Sequence, residues 1–131
     1  MLARKMTNDF FTLKGQTIRK IIYLQDKSNT LQIVTYRYRY NLYHEQDCCE
    51  YVRLVKVIGD VDNILNEEII FAEEDGGAKD PDWATDYNYD DSHTWTKFVL
   101  ATKNANVEFW FLGESNGYYS EHISIKVEEI V

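Results

Sequence analysis

Seven consecutive residues, HEQDCCE, combine more potentially reactive side chains than any other stretch of the chain. They place His44 beside two adjacent cysteines, Cys48 and Cys49, and the acids Asp47 and Glu50. Histidine and cysteine are preferred zinc ligands, and a cysteine thiolate paired with a base is a nucleophile. Three interpretations follow: a metal site, a cysteine nucleophile, or a structural motif at the start of a strand.

The structural interpretation of this motif is favoured over the chemical ones. Adjacent residues on a strand point to opposite faces, so one zinc ion could bind both cysteines only at a bend. Neighbouring acids would raise a cysteine pKa, and a disulfide between adjacent cysteines would close a strained ring. We therefore expect one cysteine to face the core, Asp47 or Glu50 to bond backbone N–H groups, and His44 to orient the turn. No metal or cofactor is predicted.

Acidic residues are concentrated in the second half of the chain. Residues 1–66 carry ten Lys and Arg against seven Asp and Glu, whereas residues 67–131 carry four against fifteen. This distribution argues against direct binding of nucleic acid, which requires a basic surface. It is compatible with a partner protein whose own surface is basic.

The densest acidic stretch also contains aromatic residues. Residues 67–91 hold ten acids and a single base, Lys79. Residues 75–92 are predicted to form a long loop, and aromatic side chains surrounded by charge are typical of protein interfaces. The predicted binding face consists of Asp82, Trp83, Asp86, Tyr87, Tyr89, Asp90 and Asp91.

A second candidate site lies on the tyrosine- and arginine-rich stretch at residues 30–44. Tyrosines alternate there with Arg37 and Arg39, which indicates a strand, either long and bent or folded into a hairpin with an irregular turn. Arginine can bind phosphate or stack on bases. A small-molecule or nucleotide site at Arg37, Arg39, Tyr38 and His44 is therefore the alternative to the acidic face.

Aromatic and β-branched runs predict a mostly β fold. Strands are expected at 16–25, 49–60, 67–74, 94–102, 106–114 and 118–130, in addition to 30–44, with one short helix near 60–66. Asn116 and Gly117 favour a tight hairpin between the last two strands, which would complete a meander. About seven strands predict an antiparallel sandwich or small barrel, with an α+β fold as the alternative.

Several stretches resemble a small uncharacterised domain family found in bacteriophages, prophages and bacteria. They are LKGQTI (13–18), LYHEQDCCEYV (42–52), EIIFAEED (68–75), TWTKFVLAT (94–102) and GESNGYYSE (113–121). The resemblance spans roughly residues 13 to 125 and implies a phage-type setting without an assigned activity. The chain is accordingly divided into an extension, residues 1–12, and a single β-rich domain, residues 13–131.

These features favour a non-enzymatic binding protein that inhibits or modulates a host protein, such as a defence or nucleic-acid enzyme, through the acidic face. A zinc- or cysteine-dependent enzyme is the third hypothesis. No apolar run reaches the length of a membrane span, so no membrane partner is expected. Two neighbouring cysteines without a secretory signal favour the cytoplasm of a bacterial host cell. The oligomeric state is left open.

Overall fold

The computed structural model of the protein describes residues 9–24 and 29–130. Within these ranges it contains eight strands and two short 3₁₀ helices. A 3₁₀ helix at Asp9–Leu13 precedes the strands, and a second one at Val61–Ile64 lies between the fourth and the fifth strand. The strands are β1 (Ile18–Leu24), β2 (Thr30–Thr35), β3 (Tyr38–Tyr43), β4 (Tyr51–Ile58), β5 (Phe71–Ala78), β6 (Ser92–Ala101), β7 (Asn106–Ser115) and β8 (Ser124–Glu129). Residues 1–8 of the predicted extension lie outside the described ranges.

The strands form two four-stranded antiparallel sheets. The first sheet has the order β1-β2-β3-β8 and the second β4-β7-β6-β5. The inner faces of both sheets contribute to one core cluster, in which Leu31 and Tyr40 of the first sheet join Phe98 and Phe109 of the second. The mostly β prediction is confirmed as a sandwich of two sheets, which do not close into a barrel. None of the helices in residues 9–24 and 29–130 is long and apolar enough to span a membrane.

The tyrosine-rich stretch folds as a hairpin rather than as one bent strand. The hydroxyl oxygen of Thr35 accepts hydrogen bonds from the backbone N–H groups of Arg37 and Tyr38, and this turn separates β2 from β3. Beyond the turn, Tyr40 and Leu42 are fully buried, as the alternation predicts. Tyr36 lies in the turn and is 59% exposed, so it does not share that buried face.

β5 lies further along the chain than predicted. The strand was expected at 67–74 and a loop from residue 75, but the strand spans Phe71–Ala78 and its last residues pair with β6. The pairing register shifts between Gly76 and Ala78, and Gly77 has a φ of 100°. The two glycines therefore form a bulge within the strand instead of starting the acidic loop.

The predicted hairpin at Asn116 and Gly117 is wrong. Gly117 does adopt a positive φ of 94°, but β7 ends at Ser115 and the chain then crosses to the first sheet, where β8 pairs with β3. The carbonyl oxygen of the Asn116 side chain accepts from the N–H of Tyr118, which turns the chain away from β7. The strand predicted at 118–130 is thus shortened to Ser124–Glu129, and the meander comprises β5, β6 and β7.

The short helix predicted near residues 60–66 is present as the second 3₁₀ helix. The carboxylate of Asp60 caps it by accepting from the N–H of Asp62. Ile64 is its fully buried residue, while Leu65 packs at the edge of the core. No longer helix occurs in residues 9–24 and 29–130, so the α+β alternative is not realised.

The crossing segment after β7 passes so close to the second sheet that Gly113 has no room for a side chain. A Cβ atom at Gly113 would lie 2.7 Å from both Cβ and the carbonyl oxygen of Glu121. We expect Gly113→Ala to lower the free energy of unfolding by about 1–3 kcal/mol. Gly76→Ala is the matched control, because nothing lies within 4 Å of its Cβ position. Urea unfolding of both variants checks this, and equal stability would contradict the close packing.

Candidate functional site

Three loops meet at one end of the second sheet, where β4 and β6 begin and β7 ends. They are the motif loop (residues 44–50), the acidic loop (residues 79–91) and the crossing segment (residues 116–123). Between them lies a cavity of about 380 Å³. Its lining residues are Cys49, Glu50, Tyr89, Asp90, Asp91, Ser115, Asn116 and Tyr119. The most unusual sequence motifs of the chain thus converge on one cavity.

Glu50 organises the motif loop. Its carboxylate accepts hydrogen bonds from the backbone N–H groups of Asp47 and Cys48 at 2.8 Å and from Nε2 of His44 at 2.7 Å. Burial raises the pKa of Glu50, but these hydrogen bonds outweigh burial and bring the pKa to about 2. The carboxylate is therefore ionised throughout the neutral range.

His44 links the motif loop to the crossing segment. Its Nδ1 lies 2.7 Å from the carbonyl oxygen of His122, while its Nε2 faces Glu50. Both partners are acceptors, so the imidazole donates to both only in its protonated form. The predicted roles of Glu50 as a backbone acceptor and of His44 as an orienting group agree with this geometry.

The prediction that one cysteine faces the core is wrong. Cys48 and Cys49 are both exposed, and they form a disulfide with each other, the bond that the sequence argument discounted. The sequence argument assumed a strand, in which adjacent side chains diverge. The residues lie instead in a bend outside the strands, where the two sulfur atoms can meet. As a disulfide, the pair provides neither a thiolate nucleophile nor thiolate ligands.

Glu114 connects the acidic loop to the sheet. One carboxylate oxygen pairs with the guanidinium of Arg53 on β4 at 2.6 Å. The other accepts the backbone N–H of Asp90 at 2.9 Å. Glu114 is 8% exposed, so its charge is balanced within the protein instead of facing solvent.

Glu121 connects the crossing segment to the second sheet. The hydroxyl groups of Ser115 and Thr94 donate to its carboxylate, which is buried. Burial raises the pKa of Glu121, but the hydrogen bonds from Ser115 and Thr94 prevail and lower it below its ordinary value. The crossing segment is thereby held against the ends of β6 and β7.

The aromatic residues of the acidic loop pack against the outer face of the second sheet. The Trp83 ring meets Trp95 and Trp110 edge-on at 5.3 and 5.5 Å, and Lys56 Nζ lies 4.7 Å above it. Tyr89 stacks on His93 at 3.7 Å, and its hydroxyl accepts from Nε1 of Trp95. These rings hold the loop in place rather than project from it.

Four carboxylates of the acidic loop face solvent, unlike its aromatic rings, which face the sheet. Asp82, Asp86, Asp90 and Asp91 are exposed, and none of them is in an ion pair with a residue of the described ranges. Tyr87 is 36% exposed beside them. The seven residues predicted as a binding face therefore separate into a packed aromatic layer and an outward acidic surface.

The alternative Tyr/Arg site is not assembled. Arg37 directly precedes β3 and Arg39 lies at its start, whereas His44 follows its end. Arg37 is exposed and lies 3.7 Å from Glu129, Arg39 is paired in register with Glu128, and the Tyr38 ring packs on the core. The two arginines and Tyr38 therefore lie at one end of β3 and His44 beyond the other.

The cavity carries negative charge and has no lining cation. Glu50, Asp90 and Asp91 line it, together with two tyrosines and the disulfide. Such a site can accept a positively charged group against aromatic surface. Residues 9–24 and 29–130 contain no group of three or more His, Cys, Asp or Glu placed to hold a metal ion.

Sequence reasoning did not include four residues of this site: Glu114, Ser115, Tyr119 and Glu121. All four lie within GESNGYYSE, which contributed to the family resemblance but was interpreted only as a hairpin. The available signal was Glu114 at the otherwise apolar end of β7, because a buried carboxylate needs hydrogen-bonding partners.

The hydrogen bonds of Glu50 predict an acid-sensitive stability. The pKa of Glu50 is about 2 in the folded protein against 4.5 as its reference value, so its stabilisation is complete above pH 4.5 and is lost as the pH falls towards 2. We expect Glu50→Gln to flatten the decrease in Tm over that interval. Glu45→Gln, at an exposed neighbouring position, serves as the control. Parallel acid profiles for Glu50→Gln and the unchanged protein would refute the assignment.

The disulfide should contribute little to global stability. It closes a loop between adjacent residues, so it restricts the unfolded chain only slightly, and both cysteines are exposed. We expect Cys48→Ser/Cys49→Ser to change the free energy of unfolding by less than about 1 kcal/mol. Thiol titration of the native protein should find no free thiol before reduction and both cysteines after it. A free thiol in the protein before reduction would disprove the disulfide.

Comparison with known proteins places the chain in a family but gives no activity. No curated protein and no solved structure shows significant similarity to the chain. A family model described as a domain of unknown function, DUF7448, matches residues 12–125. The matched range includes the motif loop, the acidic loop and the crossing segment, and hence every residue that lines the cavity. The chain therefore belongs to the DUF7448 family.

Proposed function

We propose that the protein is a non-enzymatic binding protein of phage type that modulates a host protein. It binds a basic surface through the acidic loop and the adjoining cavity. The observation that carries this proposal is that the acidic loop uses its aromatic and its acidic side chains differently. Its aromatic rings are packed on the sheet, and the carboxylates of Asp82, Asp86, Asp90 and Asp91 are exposed and in no ion pair within the described ranges.

Electrostatics supports a basic partner. Like charges close together on the loop and around the cavity repel one another, and a positively charged surface relieves this repulsion. The loop is already held by the tryptophan cluster and by Glu114, so binding requires little ordering of the backbone. A preorganised acidic surface of this kind increases association rates as well as affinity.

Binding accounts for the chemistry of the cavity better than catalysis does. A general acid or base at neutral pH needs a pKa near 7, whereas the pKa of Glu50 is about 2. Glu50 and Glu121 each accept several hydrogen bonds from other groups of the protein. Every buried polar side-chain atom in the described ranges likewise has a partner. These groups are suited to holding the loops.

Nucleic-acid enzymes and defence nucleases form a suitable partner class, because proteins that bind phosphate backbones present clustered Lys and Arg. An acidic surface can occupy such a cluster and prevent nucleic acid from binding there. The proposed modulation is therefore competition for a basic surface, which requires no chemical step.

The carboxylates of the acidic loop should control partner capture. We expect Asp82→Asn/Asp86→Asn/Asp90→Asn/Asp91→Asn to abolish capture of a basic protein from bacterial lysate. Affinity of the purified partner should fall at least about tenfold, since each lost charge pair contributes some tenths to one kcal/mol. Capture with quantitative mass spectrometry, followed by calorimetry at low and raised salt, measures both effects.

Two control variants separate the hypotheses. Glu128→Gln/Glu129→Gln removes two negative charges from β8, which belongs to the first sheet rather than to the sheet that carries the acidic loop. This variant should leave capture intact. Arg37→Ala/Arg39→Ala tests the alternative anionic-ligand site and should also have little effect. If the arginine variant abolished binding while the four Asp→Asn changes did not, the acidic-loop proposal would be overturned.

A further inference from the structure

A second surface lies away from the cavity, where the first 3₁₀ helix packs beside β5. Two adjoining cavities of about 350 and 590 Å³ form a groove between them. Phe11, Ile70 and Phe71 line this groove and are 57%, 49% and 43% exposed. Clustered apolar side chains that remain this accessible mark an interaction surface rather than a core.

The groove runs along an open sheet edge. β5 pairs only with β6 among the described strands. Just before β5, the chain covers its own edge: the N–H of Gly15 donates to the carbonyl of Ile69 at 2.7 Å, and the N–H of Ile69 donates to Gln16 at 2.8 Å. Beyond this point, no backbone hydrogen bond within residues 9–24 and 29–130 joins the outer edge of β5 to another segment.

The alternating direction of backbone N–H and C=O groups along a strand indicates which of these groups in β5 could bind an added strand. Ile69 directs its N–H and C=O towards residues 15–16, and the N–H of Ile70 donates to Ala101 on the opposite side. Successive residues of a strand direct their backbone groups to alternate sides. Alternate residues of β5 before its bulge at Gly76–Ala78 therefore direct their N–H and C=O away from β6, where an added strand could pair with them.

Charge selects the occupant of this edge. Glu68, Glu73 and Glu74 line the groove against a single base, Lys14. A second copy of this chain would place its own acidic β5 opposite them, and like charges directly opposite one another destabilise strand pairs. A segment that carries Lys or Arg would instead complement the edge.

We propose that β5 is a strand-addition site for an extended partner segment that carries an apolar stretch next to a basic stretch. Its backbone pairs with the free edge, its apolar side chains cover Phe11, Ile70 and Phe71, and its basic side chains meet Glu73 and Glu74. This inference rests on the proposed function, because it specifies the form in which a basic partner binds. It concerns a surface separate from the cavity, so the two can fail independently.

The test uses as the probe an end-blocked octapeptide of four valines and four lysines in two blocks, in the block order that binds more tightly. Titration into ¹⁵N-labelled protein should shift the amide signals of residues 70–75 and of Phe11 and Lys14. The same peptide with alternate backbone nitrogens methylated keeps its charge but cannot pair, and it should bind at least about tenfold more weakly. A valine–glutamate peptide should not bind.

Protein variants provide the second arm. Glu73→Gln/Glu74→Gln should weaken the lysine peptide about three- to tenfold. Asp90→Asn/Asp91→Asn, which removes the same charge beside the cavity, should leave the shifts at β5 unchanged.

Each of the following outcomes would overturn the strand-addition proposal. Equal binding of the methylated peptide would show that only charge is recognised. Shifts confined to residues 89–91, or no shift at all, would remove β5 as the binding edge, and only the former would leave the acidic-loop proposal supported. Concentration-dependent shifts at residues 70–75 without peptide would identify a second copy as the occupant.

Discussion

Three buried carboxylates at one end of the second sheet hold the irregular parts of this protein in place. Each connects a different loop to the sheet: Glu50 organises the motif loop, Glu114 bonds to the acidic loop, and Glu121 anchors the crossing segment. A buried charge is tolerated only when hydrogen bonds replace its lost hydration, so each carboxylate requires its loop to keep one conformation. The cavity between the loops is a consequence of that requirement.

This arrangement explains how a loop with so many acids can be ordered. The acidic loop gains apolar contacts from Trp83 and Tyr89 on the outer face of the sheet, and Glu114 binds its backbone at Asp90. Neither contact uses the carboxylates of Asp82, Asp86 or Asp91. Stability and surface charge are therefore provided by different side chains, and the charge is available for another molecule.

Local sequence patterns predicted where strands form but not which strands pair with each other. Alternation over β3 identified Tyr40 and Leu42 as buried, and composition identified a sandwich or barrel. The exit from β7 was misjudged because Asn116 and Gly117 fit a tight hairpin as well as an Asx turn into a crossing. Nonlocal contacts decide between these outcomes: Gly113 leaves room for Glu121, which anchors the crossing segment and lets β8 join the first sheet.

The site was predicted only in part, because it too depends on contacts between residues far apart in the sequence. The acids of the loop were visible as composition, whereas the cavity depends on residues that meet only after folding, such as Glu50 and Ser115. The acid-rich stretch that begins in β5 continues into the loop beside this cavity, and the C-terminal end of β5 lies at the same end of the sheet as the start of β6. One acidic run thus connects the open edge to the cavity.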